Sequence, residues 1–491
     1  MFRSVYWHLA LTSIRVVIPR TRAPIRIIAF AAAFLAGCTT QPYQDRPLAP
    51  AQTLSAYETR TLDAAELREF LQRTLKREIE PWPLKSWSLE LLTLAAFYYH
   101  PDLDVARAKW GVAKAGIITA AQRPNPQLLG AGAEYNFDAP SGNLPWKLFA
   151  LLDIPIETAG KRGYRIAQAQ QQSVAGRFEI EAAAWQVRSR VRASLIELYP
   201  IEPLLEKQHE LLQDIVKLIE RRFAVGLVSQ PEVTQARLTL LRTELALNET
   251  RKQRAQQRVR LASALGLPVN ALDQIALLLT DFEHVPKPQG IPAKEAQREA
   301  LLTRSDILAA LAHYAASQAA LQLEIAKQYP DIHLQPGYTW DAGASMWALG
   351  AALELPILNR NEGPIAEAKA RREQAAANFA SVQARAIGEV EQASAGYQFS
   401  LRKLEAAESA LSALRQNERT ATASFRAGEV DRLALVSAQF ETLSAEQARI
   451  EVLIQTHQAV GQFEDALQRA LGESTLPLRQ TESPRPGKAQ P

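Results

Sequence analysis

The chain carries the same series of signals twice. Pro126 in Arg123-Pro124-Asn125-Pro126 matches Pro330 in Tyr329-Pro330-Asp331-Ile332, 204 residues on. Pro155 in Asp153-Ile154-Pro155-Ile156 matches Pro356 in Glu354-Leu355-Pro356-Ile357, 201 residues on. Phe223 and Gly226 match Phe425 and Gly428, 202 residues on. Three ordered landmarks at nearly one spacing imply one structural unit used twice. Length alone, 491 residues, would suggest two or three ordinary domains.

Each unit reads as helices, a pair of strands, then a long helical hairpin. Helices are predicted over 88–99 and 101–121, where Pro101 suits a helix start. Pro124 and Pro126 end the second. Leu128–Phe137 and Trp146–Pro155 read as strands around a turn cluster at 138–143, and Ile332–Trp340 and Met346–Leu355 repeat them. Each is close to the ~10 residues of a transmembrane β-strand. Tyr135, Trp146, Phe149, Tyr338, Trp340 and Trp347 lie near strand ends, as an interfacial aromatic girdle requires. Two small hairpins on a soluble helical domain are the alternative. Four strands cannot close a membrane barrel, which needs about eight, and open edges are not viable in lipid. Spanning strands therefore demand an oligomer of two, three or more copies.

Each second strand leads into a long helix. The first runs from Gly163 to Val225 and should break at Pro200 and Pro203. The second runs from Pro364 to Arg426 with no later proline. The return helices space apolar residues by threes and fours: Val233, Ala236, Leu240, Thr243, Leu247, and Leu433, Val436, Phe440, Leu443. A second stripe at Leu435, Ala438 and Val452 implies neighbours on both sides, as in a closed wall of helices. A coiled-coil bundle without a channel is the plainer outcome. At the first strand-to-helix junction, Lys161 and Arg162 oppose the helix dipole. Glu157, a lipid phosphate or simple solvation could account for them. Residues 41–83 read as an extended linker with one helix, 63–79, capped by Asp63 with Glu66 in capping-box position.

The formal charge of +4 invites a nucleic-acid partner. Residues 1–37 hold five arginines and no acid, so the chain without them carries −1. No basic field remains to hold a nucleic acid. One cysteine, Cys38, excludes an internal disulfide and a thiolate-rich metal site. The seven histidines have no paired ligand spacing, and no nucleotide-binding, esterase or zinc-protease motif occurs. The reading is of no enzyme, no cofactor and no resident metal.

Ile27–Leu35 is a nine-residue apolar run after a basic stretch. It is too short to span a bilayer as a helix and suits a signal-peptide core. Leu35-Ala36-Gly37-Cys38 follows and resembles a bacterial lipobox, which implies a lipidated (palmitate-bearing) Cys38. Thr39 in place of Asp favours sorting to the outer membrane by the same resemblance. A buried cysteine in an N-terminal helix is the alternative. The long basic segment suggests a start codon further downstream.

Over Trp87–Leu471 the chain resembles the TolC-like outer-membrane efflux factors. Arg123-Pro124-Asn125-Pro126, the strand-end prolines Pro155 and Pro356, Asn359-Arg360-Asn361-Glu362-Gly363 leading to Ala366 and Ala368, and the two glycine turns followed by Ala236 and Ala438 carry the likeness. It implies a mainly α protein with membrane β: a trimer whose twelve pooled strands, four per chain, form one barrel above a long periplasmic helical tunnel. It implies a passive duct in a Gram-negative outer membrane, served by a periplasmic adaptor and an inner-membrane pump expected to be proton-driven. Adaptor docking falls at Val225-Gly226-Leu227, with Ala427-Gly428-Glu429 departing from the pattern, and Asp431 is a gate candidate near that tip. Pro155-Ile156-Glu157-Thr158-Ala159-Gly160-Lys161-Arg162 looks most like the heavy-metal cation branch. Drug or small-molecule efflux, or secretion, is the alternative within the family; a periplasmic coiled-coil scaffold lipoprotein is the alternative outside it. The expected divisions are a signal segment (1–37), a linker (38–86), a first repeat (87–266), an equatorial segment (267–292), a second repeat (293–472) and a disordered tail (473–491).

Overall fold

A computed structural model describes residues 42–138, 140, 144–286 and 293–471. Cys38 and the lipobox lie outside the described residues, as do much of the first strand turn and all of the tail (473–491). The chain divides into two compact units, Met1–Ala56 and Tyr57–Pro491. The first holds an irregular stretch and most of α1 (Pro50–Glu58), a helix that buries no residue and whose last two residues belong to the second.

The second unit is built on a mid-level core. It contains α2 (Ala65–Leu75), a two-residue strand β1 (Ser86–Trp87), α3 (Leu89–Tyr99) and α4 (Pro101–Ala121). Leu67, Leu71, Trp87, Leu92, Leu103, Leu261, Leu265 and Phe282 are among its fully buried side chains. Residues 57–83 are therefore not an extended linker. Their few leucines are spaced to reach this core; α2 lies within the helix expected over 63–79, and α1 is a second helix where only one was expected. The capping box at Asp63 does not form: the cap position is Ala64, without a side-chain bond. The Asp63 carbonyl instead accepts from Trp82 Nε1 at 2.9 Å.

The main sheet contains β2 (Gln127–Tyr135), β3 (Trp146–Ile156), β5 (Ile332–Asp341) and β6 (Ala344–Leu353), all antiparallel in the order β2-β3-β5-β6. β4 (Ala276–Leu277) pairs with β1 and belongs to the core. The register places Tyr135 opposite Trp146, Leu148 opposite Trp340, Ala150 opposite Tyr338, Tyr338 opposite Trp347, and Ile332 opposite Leu353. Strands alternate faces, so these residues form one apolar face. Trp347 and Leu349 on it are 80% and 77% exposed. The other face carries Glu134, Lys147, Asp341, Asp153 and His333. Aromatic pairs Tyr135–Trp146 and Tyr338–Trp347, with centroids 5.0 and 4.8 Å apart, band the apolar face at the hairpin end. Phe149 does not join this girdle. It pairs with Gly132 and Thr339, and its ring lies against Gly132 on the polar face.

The long helices follow. α5 (Lys161–Ile196) stops before Pro200, and α6 (Glu202–Ala224) restarts with Pro203 in its first turn. α7 (Gln230–Leu265) returns. In the second unit of the repeat, α8 (Ala293–Thr303) and α9 (Ser305–Ala326) precede the strands. α10 (Glu362–Ala427) is unbroken over 66 residues, about 100 Å at 1.5 Å per residue, and α11 (Arg432–Leu467) returns. The heptad-spaced residues Val233, Ala236, Leu247 and Val436 are buried. No helix among the described residues is long and apolar enough to cross a membrane.

Candidate functional site

Three regions carry the chemistry: the junction below the sheet, the middle of the helices, and the two helical turns. At the junction, Lys161 is buried. Its Nζ donates to Asp331 Oδ1 and to the Tyr329 carbonyl, each at 2.7 Å. Burial opposes charge on Asp331, but Lys161 and the Thr158 amide hold its carboxyl below the ordinary range. Arg162 Nε donates to the Ala121 carbonyl at 2.7 Å, and Arg165 Nε to that of Ala120 at 3.0 Å. These carbonyls end α4, where its dipole is negative, so the cations stabilise a neighbouring helix end. Glu157 belongs to Arg165, at 2.6 Å. Glu157 therefore does not account for Lys161 and Arg162, whose bonds go to the second repeat and to α4. Asp331 was present in the proline landmark, but nothing in the linear pattern pairs it with Lys161, 170 residues away.

Midway along the helices, α5 and α11 bury a charged network. Arg188 donates through both terminal nitrogens to Glu464 Oε2 at 3.0 Å. Arg192 donates to the His457 carbonyl at 2.9 Å and lies 3.6 Å from Glu464. Burial lowers the Arg192 guanidinium's affinity for its proton. Burial raises Asp465 against donors from Ser189 and Trp185. His457 is pushed down to about 4 by burial and by Arg192. The only linear hint was arginine at a four-residue spacing inside an apolar stripe.

The two turns share a backbone. Leu227 N–H donates to the Arg222 carbonyl and Gly226 N–H to that of Phe223, both at 2.9 Å. Glu429 and Gly428 repeat this to Ser424 and Phe425, at 2.9 and 3.1 Å. This is the Schellman closure, which needs φ > 0 at its glycine; Gly226 has φ 75° and Gly428 φ 78°. Val225 and Leu227 are 70% and 74% exposed. Ala427 and Glu429 are exposed too, but Glu429 accepts from Ser424 Oγ at 2.9 Å. Asp431 caps α11, accepting from Ala434 N–H at 3.0 Å, and forms an ion pair with Arg222 at the end of α6. Arg432 pairs with Asp214 at 3.1 Å, giving a second bridge between α11 and α6.

Two features leave this geometry incomplete in one chain. β2 and β6 are sheet edges. Leu238, Leu241 and Leu245 form an exposed stripe on α7, opposite its buried one. No group of three or more His, Cys, Asp or Glu able to hold a metal occurs among the described residues.

The model of the family described as "Outer membrane efflux protein" matches residues 96–267 and 297–473. The chain is 27% identical over 384 residues to the cobalt-zinc-cadmium resistance protein CzcC of Cupriavidus metallidurans, covering 75% of this chain and 87% of that one. It is 30% identical over 171 residues to the pyoverdine export outer membrane protein OpmQ of Pseudomonas putida, covering 33% and 35%. It is 25% identical over 222 residues to the probable outer membrane lipoprotein SilC of Salmonella typhimurium, covering 41% and 47%. Among solved structures, the outer-membrane channel OprN superposes with a TM-score of 0.63 at 19% identity, covering 88% of this chain and all of that one. CusC superposes at 0.61 and 19%, covering 88% and 99%. The fold is thus that of the TolC-like channels. With two family matches spanning most of its length, the chain belongs to the outer membrane efflux protein family, passive channels of the outer membrane that reach into the periplasm and carry out no catalysis.

Proposed function

We propose that three copies of this chain form the exit duct of a tripartite efflux system, and that its cargo is divalent heavy-metal cations. The observation that carries the duct is the four-stranded sheet: it has an apolar outer face, a polar inner face and two open edges. Open edges are untenable in lipid, and a twelve-stranded barrel of three chains removes them. The exposed Leu238, Leu241 and Leu245 stripe suits helix neighbours from the same trimer. Likeness to a cobalt-zinc-cadmium resistance protein over most of both chains supports the metal cargo. The shorter match to a pyoverdine exporter keeps small organic molecules as the second reading.

Within this reading, Val225, Gly226 and Leu227 meet the periplasmic adaptor, and Ala427, Gly428 and Glu429 contribute less. Asp431 acts in the gate through its pair with Arg222. Cys38 carries the lipid anchor, in keeping with a lipoprotein among the relatives. An inner-membrane pump, expected to be proton-driven, supplies the energy. The test is the sensitivity profile of a deletion strain. Sensitivity confined to divalent metals supports the cargo; sensitivity to dyes and antibiotics with normal metal tolerance contradicts it.

A further inference from the structure

The polar face of the sheet holds one histidine whose setting the duct itself does not require. His333 lies on β5, one residue from the strand's helix-proximal start. Its Nδ1 is 2.8 Å from Asp153 Oδ2 on β3. With the ring neutral and the carboxylate as acceptor, Nδ1–H donates and Nε2 keeps its lone pair. Asp153 is 6% exposed, and its Oδ1 is buried without a partner. The His333 side chain is 41% exposed. Opposite Asp153, on β2, stands Gln127.

A buried acid behind an accessible imidazole is the arrangement that orients metal-ligating histidines. The carboxylate fixes the tautomer and ring direction and raises ligand basicity. We propose that His333 ligates divalent transition cations through Nε2 on the inner wall of the barrel, with Asp153 as its positioning residue. The inference rests on the duct and cargo proposed above. Borderline cations such as Zn²⁺ and Co²⁺ accept imidazole nitrogen, whereas Mg²⁺ prefers oxygen and water. One protein ligand per chain, with water completing the shell, makes a weak and exchangeable contact. Passage requires this: a cation must bind well enough to enter and weakly enough to leave. The absence of any group of three or more candidate ligands among the described residues fits a transit contact rather than a resident site.

The test is K⁺ current through the purified full-length protein in a planar bilayer, titrated with ZnCl₂ or MgCl₂. Zn²⁺ should reduce the current and Mg²⁺ at equal concentration should not. Asp153→Asn, nearly isosteric, should raise the half-blocking Zn²⁺ concentration about 10–100-fold. His333→Ala, with assembly checked by native electrophoresis, should abolish the block. His313→Ala, an exposed histidine on α9 paired with Glu179, should leave the block unchanged. No block of the wild-type channel, or one unmoved by either His333→Ala or Asp153→Asn, overturns the proposal. A deletion strain with normal metal tolerance would overturn the cargo reading alone, since the bilayer measurement does not depend on it.

Discussion

The two repeats share a backbone plan and differ in what they bury at its middle. α7 and α11 are each 36 residues long and begin 202 residues apart. At that spacing Glu464 and Asp465 correspond to Ala262 and Ser263, and Arg188 and Arg192 correspond to Val390 and Ser394. The first repeat supplies the buried cations Arg188 and Arg192 on α5; the second supplies the buried Glu464 and the half-buried Asp465 on α11. The matching zone of the second repeat packs Ala300, Val390, Tyr397 and Phe463 instead. An apolar seam accepts many partners, whereas a buried charge left unpaired costs several kcal/mol. We take the charges to fix which helix lies beside α5, a choice that duplicated hairpins would otherwise leave open. The turns diverge in the same way. Both have one backbone geometry, but the first exposes Val225 and Leu227 while the second holds Glu429 against Ser424.

Removing one side of the charged seam should have the largest effect. Glu464→Ala leaves Arg188 and Arg192 buried without their main partner and should cost about 3–5 kcal/mol. Val390→Ala at the apolar seam should cost about 1–3 kcal/mol. Denaturation of the detergent-solubilised protein, followed by circular dichroism, compares them; a smaller loss at Glu464 would contradict the distinction. The broken and unbroken helices give the next contrast. Ala413→Pro, an exposed site inside α10, should cost about 3 kcal/mol or more. Pro203→Ala in the first turn of α6 should change stability by about 0.5 kcal/mol or less. A loss at Ala413→Pro as small as that expected at Pro203→Ala would show that the break is not set by proline.

His457 sharpens the comparison by pH, because the first repeat has Ala255 at the matching position. Its folded value of about 4 lies below the ordinary 6.5. Between these values the unfolded chain binds a proton that the folded chain refuses. Stability from this group is therefore complete above about pH 6.5, falls as pH drops through the window, and levels off below about 4. The fall should approach about 3 kcal/mol, and His457→Gln should flatten it. The smallest change in stability belongs to the turns. Leu227→Ser should alter stability by about 0.5 kcal/mol or less yet abolish efflux in a tolerance assay. Glu429→Ala should leave most efflux intact, and equal losses would erase the proposed division between the turns.

The periodic features were legible in the sequence. Strand ends, the helix break at Pro200 and Pro203, both glycine turns and the heptad stripes are local patterns, and the structure has them within a few residues. Long-range partnerships were not legible. Lys161 meets Asp331 and Arg188 meets Glu464 only because the two repeats dock, and no spacing encodes that. Phe149 was assigned to the aromatic girdle from its distance to a strand end; the two-residue alternation of β3 puts it on the opposite face. Residues 57–83 read as linker because Leu62, Leu67 and Leu71 are sparse among polar residues, although each is buried. The turn residues stood out through their glycines. Arg222, the partner of Asp431, carried no signal beyond being basic near a helix end.

Single-channel recording of the purified protein in a planar bilayer tests the trimeric duct most directly. A gated trimer gives discrete openings, and Arg222→Gln, which removes the partner of Asp431, increases their conductance or frequency. Folded protein that stays monomeric and never conducts would contradict the duct and favour a scaffold instead.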